Sequence, residues 1–204
     1  RAMFRSRVES WNLRDRHMVE TLEALERFIG DAAHPARIVG GAHNSHLGDA
    51  RATEMGEAGE VNVGQLVRER LGHRALLVGF TTFTGTVTAA SDWDRPVERK
   101  IVAPALPGSY ETLFHEVVGG NFFLDLRQPG DAADLLVEPR LERAIGVIYR
   151  PATERISPYF RARLGQQFDA VLHYDRTRAV EPLERTPTWE AADFDLPETS
   201  PSTL

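Results

Sequence analysis

The 204 residues carry 24 Lys plus Arg against 30 Asp plus Glu, a formal charge of -6, with 42% hydrophobic residues. That balance supports one sizeable core and argues against both disorder and a nucleic-acid partner. Cysteine is absent, which excludes disulfides and thiolate metal sites, and no apolar run approaches the roughly 20 residues that span a bilayer. The composition therefore predicts a protein without membrane or nucleic-acid contacts, placed in the cytoplasm, and the first residues carry no secretory leader pattern.

Residues 4–29 read as the longest helix, with Phe4, Val8, Trp11, Met18, Leu22, Leu25 and Ile29 near a helical period. The pattern weakens at Asn12–Arg16, where Asn12, Arg14, Asp15 or Arg16 either project into a cleft or form an ordinary helix surface. Gly30 and Pro35 end the helix, and His17 and His34 carry no special claim. Residues 36–42, ARIVGGA, read as a buried strand of an α/β sheet. His43 and His46 follow it, three apart, with Asn44 between them. Polar residues just past a strand end sit at the sheet's carboxyl edge, where α/β proteins bind ligands.

Residues 48–60 then read as a flexible, polar loop beside that edge. A helix over 61–71 is capped by Asn62 and stopped by Gly72. Residues 75–80, ALLVGF, form a second apolar run that Thr86–Thr88 extend or turn into a hairpin, with a short strand near Lys100–Val102. Ser109 caps a helix over YETLFHEVV. Strands are predicted at 121–126, 143–149 and 168–174, with short helices at 131–138 and 154–164. Residues 181–204 read as a proline-rich, acidic tail packed weakly if at all, leaving 1–180 as the folded domain. Strands alternating with helices predict a layered α/β fold, a mostly parallel sheet with helices on both faces.

The His-x-x-His pair has two chemical uses. It holds a divalent metal if a carboxylate converges, Glu54, Glu57 and Asp49 being the local candidates. Alternatively one imidazole moves a proton while the other binds an oxyanion or holds the first, with Asn44 orienting a ring or donating to a developing charge. Ordinary loop histidines capping a strand end are the bland alternative. No Gly-x-Gly-x-x-Gly, Walker lysine loop or Gly-x-Ser-x-Gly elbow is present.

Several stretches together resemble the erythromycin esterase family, in the later half of its fold. They are WNLRDRHMVETL at 11–22, GAHNSHLGD at 41–49, LGHRALLVGFTTFTGTV at 71–87, APALPGSYETLFHE at 103–116, and the pair FFLDLR and IGVIYRP. The resemblance implies hydrolysis of a macrolide lactone or another carboxylic ester, with water as nucleophile and no cofactor. His43, His46 and Asn44 would be catalytic, and Arg14, Asp15 and Glu111 would contact substrate. The family's upstream Gly-Glu-x-x-His motif, whose histidine serves as general base, has no match here. The resemblance thus implies a missing half, supplied by another segment or a second copy, or else a catalytically incomplete binding or assembly domain.

Overall fold

The computed structural model describes residues 7–31, 33–128, 130–151, 158–185 and 187–191. Its longest helix, α1 (Arg7–Ile29), matches the predicted one; residues 4–6 lie outside the described residues. Asp15 and Val19 are its buried positions. Two short helices follow, α2 (Asn44–Leu47) and α3 (Glu54–Glu57), and then α4 (Val63–Leu71), capped by Asn62 as its sequence predicts. Asn12 ties α1 to the loop before α4, donating to Gly59 O at 3.0 Å and accepting from Val61 N at 2.7 Å.

A four-stranded sheet has the order β2-β1-β6-β3, built from β1 (Val78–Ala90), β2 (Val97–Val102), β3 (Phe122–Asp125) and β6 (Ala170–Thr177). Helix α5 (Tyr110–Val117) precedes β3, and α6 (Asp131–Leu135) follows it. Strands β4 (Arg140–Arg143) and β5 (Tyr159–Ala162) make a separate antiparallel pair, and α7 (Leu164–Gln167) leads into β6. The last described helix is α8 (Pro187–Ala191).

Four predictions need correction. The sheet is mixed: β1 and β6 run parallel, while β2 and β3 join antiparallel. The cause is β1 itself, whose Thr/Val alternation continues past Phe80 into the hairpin with β2. The predicted strand at 36–42 is not a strand. Val39 is 99% exposed, and a Cβ on Gly40 or Gly41 would meet nothing within 4 Å. Its apolar residues signal burial, but a strand needs a ladder partner, and no described strand pairs with it. The strand predicted at 143–149 sits earlier, at β4; residues 147–149 touch β1 through one isolated bridge at Ala90. The helix predicted over 154–164 is replaced at 159–162 by β5, while residues 152–157 lie outside the described residues.

The sheet's two faces differ. Thr81, His173 and Phe122 share the face covered by α5, where Phe114 packs against the rings of Phe122 and His173. The core here joins Leu77, Tyr110, Phe114, Leu126, Leu136, Leu164, Phe168 and Val171. On the other face Phe80, Tyr174 and Phe123 are 56%, 41% and 60% exposed, so the expected second helical layer is not formed there by the described residues. Among the described residues, α8 reaches that face at its far end, over Thr88 and Arg99. Among the described residues no helix is long and apolar enough to cross a membrane.

Candidate functional site: a histidine held by a buried aspartate

The turn into α2 gathers the predicted site. β2 pairs only with Gly85–Ala90 of β1, which leaves the earlier edge of β1 unpaired there. The Asn44 amide caps that edge: Nδ2 donates to Phe80 O at 2.8 Å, and Phe80 N donates to Oδ1 at 3.1 Å. Asn44 thus copies the pairing of a strand residue and fixes α2 against the sheet.

His43 is tied at both nitrogens. Ser45 N donates to Nδ1 at 3.2 Å, which leaves the proton on Nε2, 2.9 Å from Ile145 O. Burial pushes its pKa down, so the ring stays neutral at pH 7. His43 is therefore a brace between α2 and the segment after β4.

His46 is held at one nitrogen. Its Nδ1 lies 2.8 Å from Oδ2 of Asp15, a residue with no exposed surface. The indole of Trp11 stacks on the imidazole, centroids 4.4 Å apart and planes 2° from parallel. With Nδ1–H donated to the carboxylate, the Nε2 lone pair is left to accept a proton. Asp15 Oδ2 also accepts from Val63 N at 3.2 Å, so one carboxylate fixes both the ring and the start of α4. The Arg14 guanidinium lies 3.8 Å from Asp15 Oδ1 and 4.8 Å from the Trp11 ring centroid.

Close backbone packing underlies this geometry. Asn62 Nδ2 donates to Ser45 O at 2.9 Å and to Gly48 O at 2.6 Å, holding both ends of α2. A Cβ on Gly64 would stand 2.1 Å from Leu47 O. Alanine is favoured over glycine inside a helix by up to about 1 kcal/mol. Here the overlap outweighs that gain, and Gly64→Ala is expected to destabilise the chain by about 1–3 kcal/mol. A denaturant midpoint equal to or above that of the parent would reject this packing.

The predicted residues thus divide. His46 and Asp15 meet; His43 and Asn44 brace the turn beside them. Asp15 lies beneath the imidazole, away from solvent. Glu111 is also fully buried, its Oε1 accepting from Arg143 N at 2.9 Å. Several residues of the metal alternative already have other partners. Both His43 nitrogens and His46 Nδ1 are already bonded, Glu57 lies 3.7 Å from Arg163, and no group of three metal-ligating side chains occurs among the described residues.

A cleft of about 790 Å³ opens beside the turn, lined among others by His43, Asn44, Phe80, Tyr174, Arg143 and Arg176. His46 is not among its lining residues and keeps 18% of its side chain exposed. Sequence reasoning missed Trp11, although it stands four residues before Asp15 and so shares its helix face. It also missed Glu142, a single acid inside the short strand β4.

The scaffold is a mixed α/β fold that holds an imidazole against a buried carboxylate. The chain belongs to the erythromycin esterase family, whose model matches residues 1–177. Among solved structures it is similar to a Bacillus cereus protein, with TM-score 0.68 and 21% identity, covering 84% of this chain and 40% of that one. A succinoglycan biosynthesis protein gives TM-score 0.67 at 21% identity, with coverage of 85% and 40%. A histidine-to-asparagine mutant of the erythromycin esterase EreC in its open conformation gives 0.52 at 19%, with coverage of 79% and 36%. The chain spans about 40% of the length of the first of these structures.

Proposed function

We propose that this chain forms one wall of a hydrolase that cleaves a carboxylic ester or lactone with water, and that His46 carries the proton. The His46–Asp15 pair, 2.8 Å apart, is the observation that carries this reading, together with membership of the erythromycin esterase family. Water attacks the carbonyl carbon, its proton passes to His46 Nε2, and the alkoxide leaves with a proton to give acid and alcohol. Asp15 keeps the imidazole in the tautomer with Nε2 free and stabilises the imidazolium that forms. His43 and Asn44 hold the turn that carries His46.

The second wall comes from another segment of the family fold or a second copy of the chain. Supporting this are the uncovered sheet face at Phe80, Phe123 and Tyr174, and Phe28 near the end of α1, 88% exposed. The test is proton release from a panel of esters and lactones, by the chain alone and by the chain mixed with the remaining part of the family fold. Turnover of at least one ester, lost in His46→Ala, is expected. No turnover in either preparation would remove the proposal.

A further inference from the structure

Four buried acceptor oxygens make no well-formed hydrogen bond: Glu111 Oε2, both carboxylate oxygens of Glu142, and Gln167 Oε1; the side-chain amides of Gln167 and Asn44 approach Glu142 without closing one. The four oxygens come from α5, β4 and α7, and all three residues are at most 1% exposed. Buried acceptors without a well-formed hydrogen bond are unfavourable, and two full charges among them more so. One added proton changes the balance. It turns an acceptor of Glu142 into a donor, and Glu111 Oε2 or Gln167 Oε1 can receive it.

We infer that Glu142 carries a proton at neutral pH, shared within the Glu111–Glu142–Gln167 cluster, and that in this form it is a positioning residue for the Asn44 turn. The positioning role rests on the hydrolase reading above; the proton does not. Asn44 connects the cluster with the edge of β1. Its amide and that of Gln167 are the side-chain groups whose pull favours the charged form of Glu142, while the same Asn44 amide caps β1 at Phe80.

The electrostatics agree. Burial first, then the neighbouring Glu111 carboxylate, push Glu142 up to about 8. Burial pushes Glu111 up as well, opposed by the Arg143 backbone N–H and guanidinium. The other ionisable groups that face the cluster are Tyr110 from α5, Arg140 from β4 and Tyr159 from β5. Tyr110 senses the charge on Glu142, and Tyr159 that on Glu111. As pH rises past about 8, Glu142 ionises and places a negative charge beside the Asn44 amide.

A group whose folded pKa is raised favours the fold while protonated. Its contribution is fully present below the unfolded value of 4.5 and is lost as pH climbs through about 8. His43 and His173, both pushed down by burial, work in the opposite sense, weakening the fold as pH falls below 6.5. A comparison of the parent with Glu142→Gln cancels those histidines.

The experiment uses the full chain. Infrared spectra near neutral pH are expected to show the carbonyl band of a protonated, buried carboxyl group, absent in Glu142→Gln and fading in the parent at alkaline pH. The Asn44 side-chain amide resonance in 15N NMR is expected to move with the same midpoint in the parent and to stay still in Glu142→Gln. The melting temperature of Glu142→Gln relative to the parent is expected to rise with pH. Glu111→Gln, which removes the neighbouring charge, is expected to lower the midpoint and serves if the first variant fails to fold. Absence of the protonated band near neutral pH overturns the proton, as does a calcium or magnesium ion bound to the pair and removed by chelator. A motionless Asn44 overturns the positioning role. Failure of ester turnover with the band intact counts against the hydrolase reading alone.

Discussion

Asp15→Asn is expected to reduce ester turnover by about 10²- to 10⁴-fold, the range associated with losing a positioned general acid–base group. The substitution is nearly isosteric, so the effect comes from chemistry. Asp15 Oδ2 now accepts from both His46 Nδ1 and Val63 N. Asparagine offers one acceptor oxygen and one NH2. With its oxygen in the Oδ2 position it keeps both contacts but loses the negative charge that stabilises the imidazolium, and its NH2 faces the Arg14 guanidinium; turned over, its NH2 meets the imidazole and favours the tautomer with the proton on Nε2, which cannot take a proton from water. His46→Ala is expected to lose as much, because it removes the same proton carrier, and the double variant little more. Trp11→Phe keeps an aromatic ring in the stack and is expected to cost far less. The measurement is kcat and kcat/KM against pH, with a melting curve for each variant to confirm that it is folded. An Asp15→Asn protein that is folded and retains parental kcat would show that the His46–Asp15 contact only holds α1 to α2.

How much of this was readable from the residues depends on the range of the interactions. Local chemistry was legible. Asn62 and Ser109 cap helices as their side-chain type predicts, because capping acts within three residues. The proximity of two histidines was also plain from their spacing. What each ring does was not. His43 is fixed by the carbonyl of Ile145, and His46 by an aspartate 31 positions upstream. Neither partner has a sequence pattern that points to the other. The strand at 36–42 was misread for a related reason. Apolarity reports a wish for burial, whereas strand formation needs a partner whose position is a property of the whole sheet. The direction of β2 turned on whether β1 stopped at Phe80 or ran on to Ala90, and threonines at both ends of that stretch are compatible with either.

The other large expected effect concerns the region that reads as a loose tail. Trp189→Ala is expected to destabilise the chain by about 3–5 kcal/mol, the usual range for truncating a buried large aromatic. Trp189 is 1% exposed, although its surroundings are rich in proline and acid. Its indole N–H donates to Thr88 Oγ1 at 3.1 Å, and that hydroxyl donates in turn to Val180 O at 2.5 Å. Two residues earlier in β1, Thr86 Oγ1 accepts from Ala179 N at 2.9 Å. The outward threonines of β1 thus dock the chain after β6 onto the otherwise open face. The Arg99 guanidinium, 4.3 Å from the Trp189 ring centroid, closes the outer side. Trp189→Phe separates the parts: it keeps most of the apolar contact, loses the hydrogen bond to Thr88, and is expected to cost about 1 kcal/mol plus the smaller ring's lost contacts. Chemical denaturation followed by far-ultraviolet circular dichroism reads both variants. Helix α8 is the last described element and packs on β2, far back along the chain. Protease digestion within residues 181–185 is expected to accelerate in Trp189→Ala while the sheet core stays protected. An alanine variant with the parental midpoint and unchanged cleavage there would mean that the helix at 187–191 rests on the sheet without holding it.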